Sequence, residues 1–443
     1  MTYWHIQLHP GDSSWKKEDI LRIVTEYQYI GLGDKWENDK GQPDLFRNNI
    51  NIGDIVLVRH QGPLCLVEVI GNCETNLNPD PSLLWFNLKR KIRLLSSDVE
   101  KIRSEYKFAW NEGLYLPSTL SIANNSPFIR FWFNKITNEQ NMKKYIDILN
   151  TNKNIILTGA PGTGKTYLAK DIAKQMTGLD ADEKNPMFGF VQFHPSYDYT
   201  DFVEGLRPEK KDNQKEIGFV LKDGTFMEFC KNAKKAIVED SDKSDDEKRK
   251  FVFVIDEINR GEISKIFGEL FFSIDPGYRG TEGKVKTQYS NLREVKDQYF
   301  YVPENVYIIG TMNDIDRSVE SFDFAMRRRF AWKEITAEES QKMFDSTEVW
   351  KDRDGKITID KLKNRMDNLN KAIVDEKLGL SLAYQIGAAY FLKLGLYVNE
   401  NEPFECLWYN HLKGLLSEYL RGNQNVANKL NELKVAFDNE LKI

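Results

Sequence analysis

Eight consecutive residues, Gly159, Ala160, Pro161, Gly162, Thr163, Gly164, Lys165 and Thr166, spell Gly-x4-Gly-Lys-Thr. An apolar strand-like run, 154–159, precedes them, and a good helix former, "YLAKDIAKQM", follows. In that setting the glycines let the backbone curl so that its N–H groups and the helix N-terminus face a polyphosphate. Lys165 can then reach the β and γ phosphates, and the Thr166 hydroxyl can ligate Mg²⁺. Glycine-rich loops also arise by chance, but rarely with strand, full pattern and helix in register.

Two acids, Asp256 and Glu257, end the apolar run "FVFVIDE". Ligands gather where buried strands of open α/β sheets end, so Asp256 suits the metal and Glu257 can activate an attacking water. A third apolar run, "NVYIIGT" (305–311), leads into "MNDIDRS". If this strand lies in the same sheet, Asn313 falls at the same edge as Glu257, where its amide could sense the γ-phosphate; a turn asparagine is the plainer alternative. Three arginines, Arg327, Arg328 and Arg329, follow. On a helix from 316 to 330, Val319, Phe322 and Met326 share one face and Arg328 points almost opposite, with Arg329 nearer the core face. An arginine held away from its own core could reach another subunit's nucleotide; a solvated basic helix end is the alternative.

The elements that must position these groups show a change of pattern along the chain. Residues 1–120 hold short β-type runs broken by Gly, Asn and Pro, which predicts a small β-rich barrel or curled sheet. The stretch "PSTLSIANNSP" predicts a linker, placed at 121–140. Residues 141–335 alternate wholly apolar strands with amphipathic helices, as in a parallel sheet covered on both faces. From 336 to 443 helical periodicity dominates, which predicts a smaller helical domain.

Composition narrows the rest. The 443 residues are 41% apolar and 29% charged with a formal net charge of -5, so any nucleic-acid contact must be local. Four cysteines without a Cys-x-x-Cys pair and five scattered histidines point away from zinc or a disulfide framework. No leader-like start or run long enough to span a bilayer is present, and a cytoplasmic protein is expected, with no membrane partner.

Together "GAPGTGKT", "QFHPSYDYTDFVEGLRP" (192–208), "DEINRGEISKIFGEL" (256–270), "TMNDIDRS" and "DFAMRRRF" resemble the AAA+ NTPases, and within them the McrB-type motor subunits of modification-dependent restriction systems. That resemblance implies a P-loop α/β domain with a helical lid, GTP with Mg²⁺, a hexameric ring of identical chains, and a McrC-type nuclease partner. It places Asn313, Asp316 and Arg317 in the family's signature loop and makes Arg328 and Arg329 its inter-subunit arginines. The stretch "YQIGAAYF" (384–391) resembles the family's helical-domain motif, but Ala388 replaces a commonly polar residue, so no nucleotide sensor is assigned there. Guanine preference rests on the resemblance alone.

The first 120 residues resemble EVE-type domains of the PUA/YTH-like group through "YWHIQL", "GLGDKW" and "NIGDIVLVRHQGPLCLVEVIG". Such domains flip a modified base of double-stranded DNA into an aromatic pocket, where it regains lost stacking. Trp15, Trp36 and Trp85 are candidate stackers, Trp36 preferred after its Gly-Leu-Gly turn, although each could be core. Lys89 and Arg90, with Lys91 and Arg93, could hold backbone phosphates or be solvated β-edge charges. The expected protein is a GTP-hydrolysing ring motor that reads modified DNA and drives a separate nuclease, since the chain offers no nuclease constellation of its own. A protein-remodelling ATPase whose N-terminal domain is an adaptor remains the alternative.

Overall fold

The structure is a computed structural model that describes residues 1–8, 15–33, 41–60, 62–77, 85–106, 119–124, 126–210, 217–293, 295, 299–315, 324–346 and 357–440. The chain divides into two units, Met1–Asn141 and Met142–Ile443.

The first unit is a six-stranded sheet. Its strands are β1 (Tyr3–Gln7), β2 (Tyr29–Leu32), β3 (Ile55–Arg59), β4 (Pro63–Thr75), β5 (Leu88–Ser96) and β6 (Leu120–Ile122), in the order β2-β5-β4-β3-β1-β6. Only β1 and β3 run parallel; the other pairs are antiparallel. Along β3, Val56 and Val58 enter one core while Ile55 and Leu57 enter another. Both faces of this strand are therefore covered, which is why it is apolar throughout. Among the described residues the sheet keeps two ends, β2 and β6, so it is β-rich as expected but curled rather than a closed ring of strands.

The expected linker at 121–140 is corrected. Residues up to Ile122 pair with β1, and Pro127–Asn152 is a helix. Pro127 suits a first helical turn, where its missing N–H would be unpaired anyway, and the Ser126 hydroxyl accepts from the Ile129 N–H at 3.4 Å. Phe128, Ile129, Trp132 and Ile136 then bury their side chains in the first unit. The Ser/Asn/Pro composition marks a helix start, not a free tether.

In the second unit β7 (Asn154–Thr158), β8 (Phe188–Gln192), β11 (Phe251–Asp256), β14 (Val306–Thr311) and β15 (Ala331–Glu334) form one sheet, ordered β15-β7-β14-β11-β8 and parallel throughout. Alternate residues serve opposite faces: Val252 and Val254 join one core, Phe251, Phe253 and Ile255 the other. Two antiparallel ribbons decorate this frame, β9 (Glu204–Lys210) with β10 (Ile217–Asp223), and β12 (Val285–Lys286) with β13 (Tyr299–Phe300). Beyond the sheet, helices including Ile359–Ile373 and Val426–Asp438 surround a separate core. Thr358 caps the first of these, accepting from the Lys361 N–H at 3.2 Å, and Leu362, Met366, Leu369 and Ile373 are its buried stripe, at the spacing read from the sequence.

Of the helix expected over 316–330, residues 324–330 are described: Phe324–Arg327 is helical, but the chain turns at 328–330, so the helix ends earlier than expected. Asp316 and Arg317 lie outside the described residues.

Candidate functional site

The sheet order places three strand ends side by side. Ile255 pairs with Gly310, so Asp256 and Thr311 emerge as neighbours, and β14 in turn flanks β7, which runs into the glycine loop. The Thr166 hydroxyl donates to Asp256 Oδ1 at 2.6 Å, and the Thr311 hydroxyl donates to the same oxygen at 2.7 Å. The Glu257 N–H donates to Thr311 Oγ1 at 3.3 Å. Thr311 thus ties both acids together, a role the sequence reading missed because it depends on strand register.

Glu257 sits in the left-handed region, φ 50° and ψ 45°. A non-glycine residue there costs on the order of 1–3 kcal/mol, and such strain gathers at functional sites. Two groups hold the carboxylate: Asn313 Nδ2 donates to Oε1 at 2.8 Å, and Arg260 Nε lies 3.4 Å from Oε2. Asn313 therefore reaches the same edge as Glu257, as its position after β14 predicted, and its amide engages the acid itself. Asn259 is buried beside them and donates to the Asn313 carbonyl at 3.5 Å.

Lys165 is buried, and its ammonium donates to the carbonyls of Gly159 at 3.0 Å and Ala160 at 2.8 Å and to Thr163 Oγ1 at 3.3 Å. The loop therefore concentrates positive charge under its own backbone, followed by the helix Lys165–Thr177. Asp314 lies close by, its N–H donating to Gly159 O at 3.4 Å; burial raises its carboxyl pKa, partly offset by Lys165. A hydroxyl and a carboxylate 2.6 Å apart are hard oxygen donors of the kind Mg²⁺ prefers, so Thr166 and Asp256 fit that ion.

The helical lid supplies a contact that the sequence did not announce. The Gly387 N–H donates to Pro161 O at 2.8 Å, and the Ala389 N–H to Gly162 O at 3.0 Å. Gly162 has φ 78°, and a Cβ there would stand 2.6 Å from Tyr390; a Cβ on Gly387 would meet the Gly162 carbonyl carbon at 2.2 Å. Buried Asn370 holds this segment from behind, donating to Ile386 O at 2.9 Å and accepting from Ile386 N at 2.7 Å. The Ala388 N–H donates to Ser340 Oγ at 2.9 Å. Ala388 offers no polar side chain, yet the motif's backbone grips the phosphate loop.

The two arginines divide. Arg328 is exposed. Arg329 is buried in its own chain: Nη1 donates to Ala325 O at 2.6 Å, Nε lies 3.6 Å from Asp275 Oδ2, and the guanidinium stands 4.2 Å over the Phe271 ring. An arginine so engaged is not presented to a neighbour, which corrects its assignment as an inter-subunit group.

In the first unit, Arg90 is corrected as well. It is buried, donating to Phe46 O and Arg47 O at 2.9 Å each and to Gly71 O at 3.3 Å, so it braces backbone and is closed to phosphate. Lys89 lies 4.8 Å over the Tyr29 ring and 4.0 Å from Glu74. Trp15 is half-buried against the first core. Trp85 is half-buried, edge-on to Phe86 at 5.8 Å, and its buried indole N–H has no hydrogen-bond partner among the described residues. Trp36 lies outside the described residues.

Residues 154–330 match the family described as AAA domain, dynein-related subfamily. This segment has the AAA+ P-loop fold. The chain is also similar to the type IV methyl-directed restriction enzyme EcoKMcrB subunit of Escherichia coli (strain K12), 35% identical over 296 residues, which are 67% of this chain and 60% of that protein. A second relative is the type II restriction enzyme BsuMI component YdiS of Bacillus subtilis (strain 168), 28% identical over 227 residues, 45% of this chain and 61% of that protein. The chain thus spans about three fifths of each relative's length. The crystal structure of NtrX from Brucella abortus is 12% identical over 68% of this chain and 51% of that one, with a TM-score of 0.27, an overlap that carries no argument. No helix among the described residues is long and apolar enough to cross a membrane.

Proposed function

We propose that this chain is the GTP-hydrolysing AAA+ motor and specificity subunit of a restriction system, reading modified DNA through its N-terminal unit and driving a separate McrC-like nuclease. The observation that carries the reading is the cluster at the strand ends, where Thr166, Thr311 and Asp256 share one carboxylate oxygen and Asn313 holds Glu257 beside the phosphate loop. Similarity to two restriction-system proteins supports the biological setting.

In this mechanism Lys165 and the loop N–H groups neutralise the phosphates as charge develops on the leaving oxygen. Thr166 and Asp256 would hold Mg²⁺, which supplies Lewis-acid polarisation of the phosphates. Glu257 orients the attacking water and accepts its proton, worth roughly 10²–10⁴ in rate. Asn313 keeps that carboxylate turned toward the site until the γ-phosphate competes for its amide. Asp316 and Arg317 belong to the same loop by resemblance. Arg328, exposed in the turn that follows the helix Phe324–Arg327, is the arginine offered in trans to a neighbour in a ring, hexameric by the same resemblance, where such a finger contributes roughly 10³–10⁵.

For the first unit, the half-exposed Trp85 ring with an unsatisfied buried N–H supports an EVE/PUA-like base pocket, with Trp15, Trp36 and Lys89 as secondary candidates. Hydrolysis of GTP and ATP by the full chain, with duplexes that are unmodified or carry N6-methyladenine, 5-methylcytosine or 5-hydroxymethylcytosine, tests the whole reading. GTP preference, loss of turnover in Glu257→Gln with nucleotide binding kept, and tighter binding to one modification are expected. ATP preference with no DNA binding would instead make this a protein-remodelling motor.

A further inference from the structure

A second cavity lies away from the phosphate loop, between the helix Thr225–Glu239 and the β12–β13 ribbon. Its volume is about 60 Å³, room for one small group and not for a nucleotide. Met227, Cys230 and Phe300 line it with apolar surface, and Lys231, Lys234, Arg293 and Thr287 line it with donors. Thr287 is 3% exposed, yet its hydroxyl has no hydrogen-bond partner among the described residues. A buried hydroxyl left unpaired costs on the order of 1–3 kcal/mol, which a ligand oxygen would recover.

The charges around the cavity are arranged, not merely numerous. Arg293 is clamped from one side: Nε donates to Glu204 Oε2 at 3.1 Å, and Nη2 reaches Glu204 and, at 2.8 Å, Asp223. Among the described residues its Nη1 makes no hydrogen bond. Lys231 pairs with Asp223. Lys234 is exposed, lies 4.6 Å over the Tyr301 ring, and has no acidic partner among the described residues. Three cations against two carboxylates leave a surplus of one positive charge. Three donors, the Thr287 hydroxyl, Arg293 Nη1 and Lys234 Nζ, remain for a ligand.

We infer that this cavity binds a single backbone phosphodiester of a nucleic-acid strand, a contact separate from base reading in the first unit. One net charge matches a phosphodiester, which carries one, better than a terminal phosphate carrying nearly two. Tyr299, 54% exposed at the rim, offers the adjacent base a stacking face, and Lys286 lies 5.6 Å over the same ring. An anion pocket beside an exposed aromatic is the usual construction for an unpaired strand.

The test is a titration of the full chain with fluorescein-labelled oligothymidylate at several salt concentrations. Lys234→Gln, an exposed change, is expected to lower the salt slope by roughly 0.7, the value of one single-strand phosphate contact. Thr287→Val, nearly isosteric, is expected to weaken binding about tenfold, as for a lost hydrogen bond to a charged group, with the slope unchanged. Nucleotide hydrolysis without DNA should stay at the parent rate in both, which separates this contact from the phosphate-loop chemistry. Unchanged affinity and slope in both variants would overturn the proposal. So would displacement of the oligonucleotide by oligoglutamate from the parent chain but not from the variants, which would make the site a carboxylate receptor.

Discussion

At the residue scale, Thr311 is the group whose removal discriminates best between a chemical and a packing role. Its hydroxyl donates to Asp256 and accepts from the Glu257 backbone, so it orients one acid, the proposed metal ligand, and places the other through its strained turn. Groups that orient metal ligands typically account for 10- to 100-fold in metal affinity or activity. Thr311→Val keeps the side-chain shape but leaves the Glu257 N–H without its acceptor, so the fold should be kept at a stability cost of about 1–3 kcal/mol. Steady-state hydrolysis should fall by roughly 10- to 100-fold, with a raised Mg²⁺ requirement, and Thr311→Ser should restore most of it. Parental turnover in the valine variant would reduce Thr311 to a filler of the strand end.

At the scale of elements, the lid contact makes the sharpest prediction. Gly387→Ala would push a methyl group to 2.2 Å from the Gly162 backbone and 2.3 Å from the Thr163 nitrogen, and neither can yield as a flexible side chain would. Either the lid lifts from the phosphate loop or the loop deforms. Weaker nucleotide binding is expected with little loss of thermal stability, because the lid keeps its own core. Asn370→Ala, which removes two buried hydrogen bonds from behind the same segment, should by contrast cost stability, about 1–3 kcal/mol for each backbone group left unpaired. Calorimetry and nucleotide titration on both variants separate the effects; equal nucleotide affinity in Gly387→Ala and the parent would show that the contact does not report on the loop.

The same elements mark what a sequence can and cannot disclose. Lys165, Thr166, Asp256, Glu257 and Asn313 were legible because each closes or follows a wholly apolar run, and period alone places such ends together. Thr311 and Gly387 were not, since the meaning of each lies in a strand register or a loop distant along the chain. Arg328 is exposed and Arg329 buried, yet both lie in the turn after Phe324–Arg327 and not on the expected helix; the family resemblance gave both the same role, whereas Asp275 and Phe271 hold Arg329 within its own chain. Arg90 misled for a related reason: a basic cluster counts charges, whereas the three carbonyls that enclose this guanidinium come from Phe46, Arg47 and Gly71.

At the scale of the whole molecule, two units with separate cores should answer to different chemical variables. If the phosphate loop takes GTP with Mg²⁺ as proposed, ligand at a hundred times its Kd should stabilise the second unit by about 2.7 kcal/mol and leave the first alone. Buried His5 makes the first unit answer to protons. His5 is wholly buried, with Nε2 against Ser121 Oγ at 2.5 Å and Nδ1 unpaired. Burial, with Arg59 adding to it, lowers its pKa from 6.5 to about 4. Between those values the unfolded chain binds a proton that the folded unit does not, so stability present above pH 6.5 is lost as pH falls toward 4, by up to about 3 kcal/mol. In a scanning calorimeter acid should therefore lower the first transition, nucleotide should raise only the second, and His5→Gln should flatten the acid response of the first while leaving that of the second, where burial also lowers the His411 pKa, as it was. A single transition that both variables move together would mean that the two cores unfold as one, and that the proposed base reading would be coupled to hydrolysis through the stability of the whole chain.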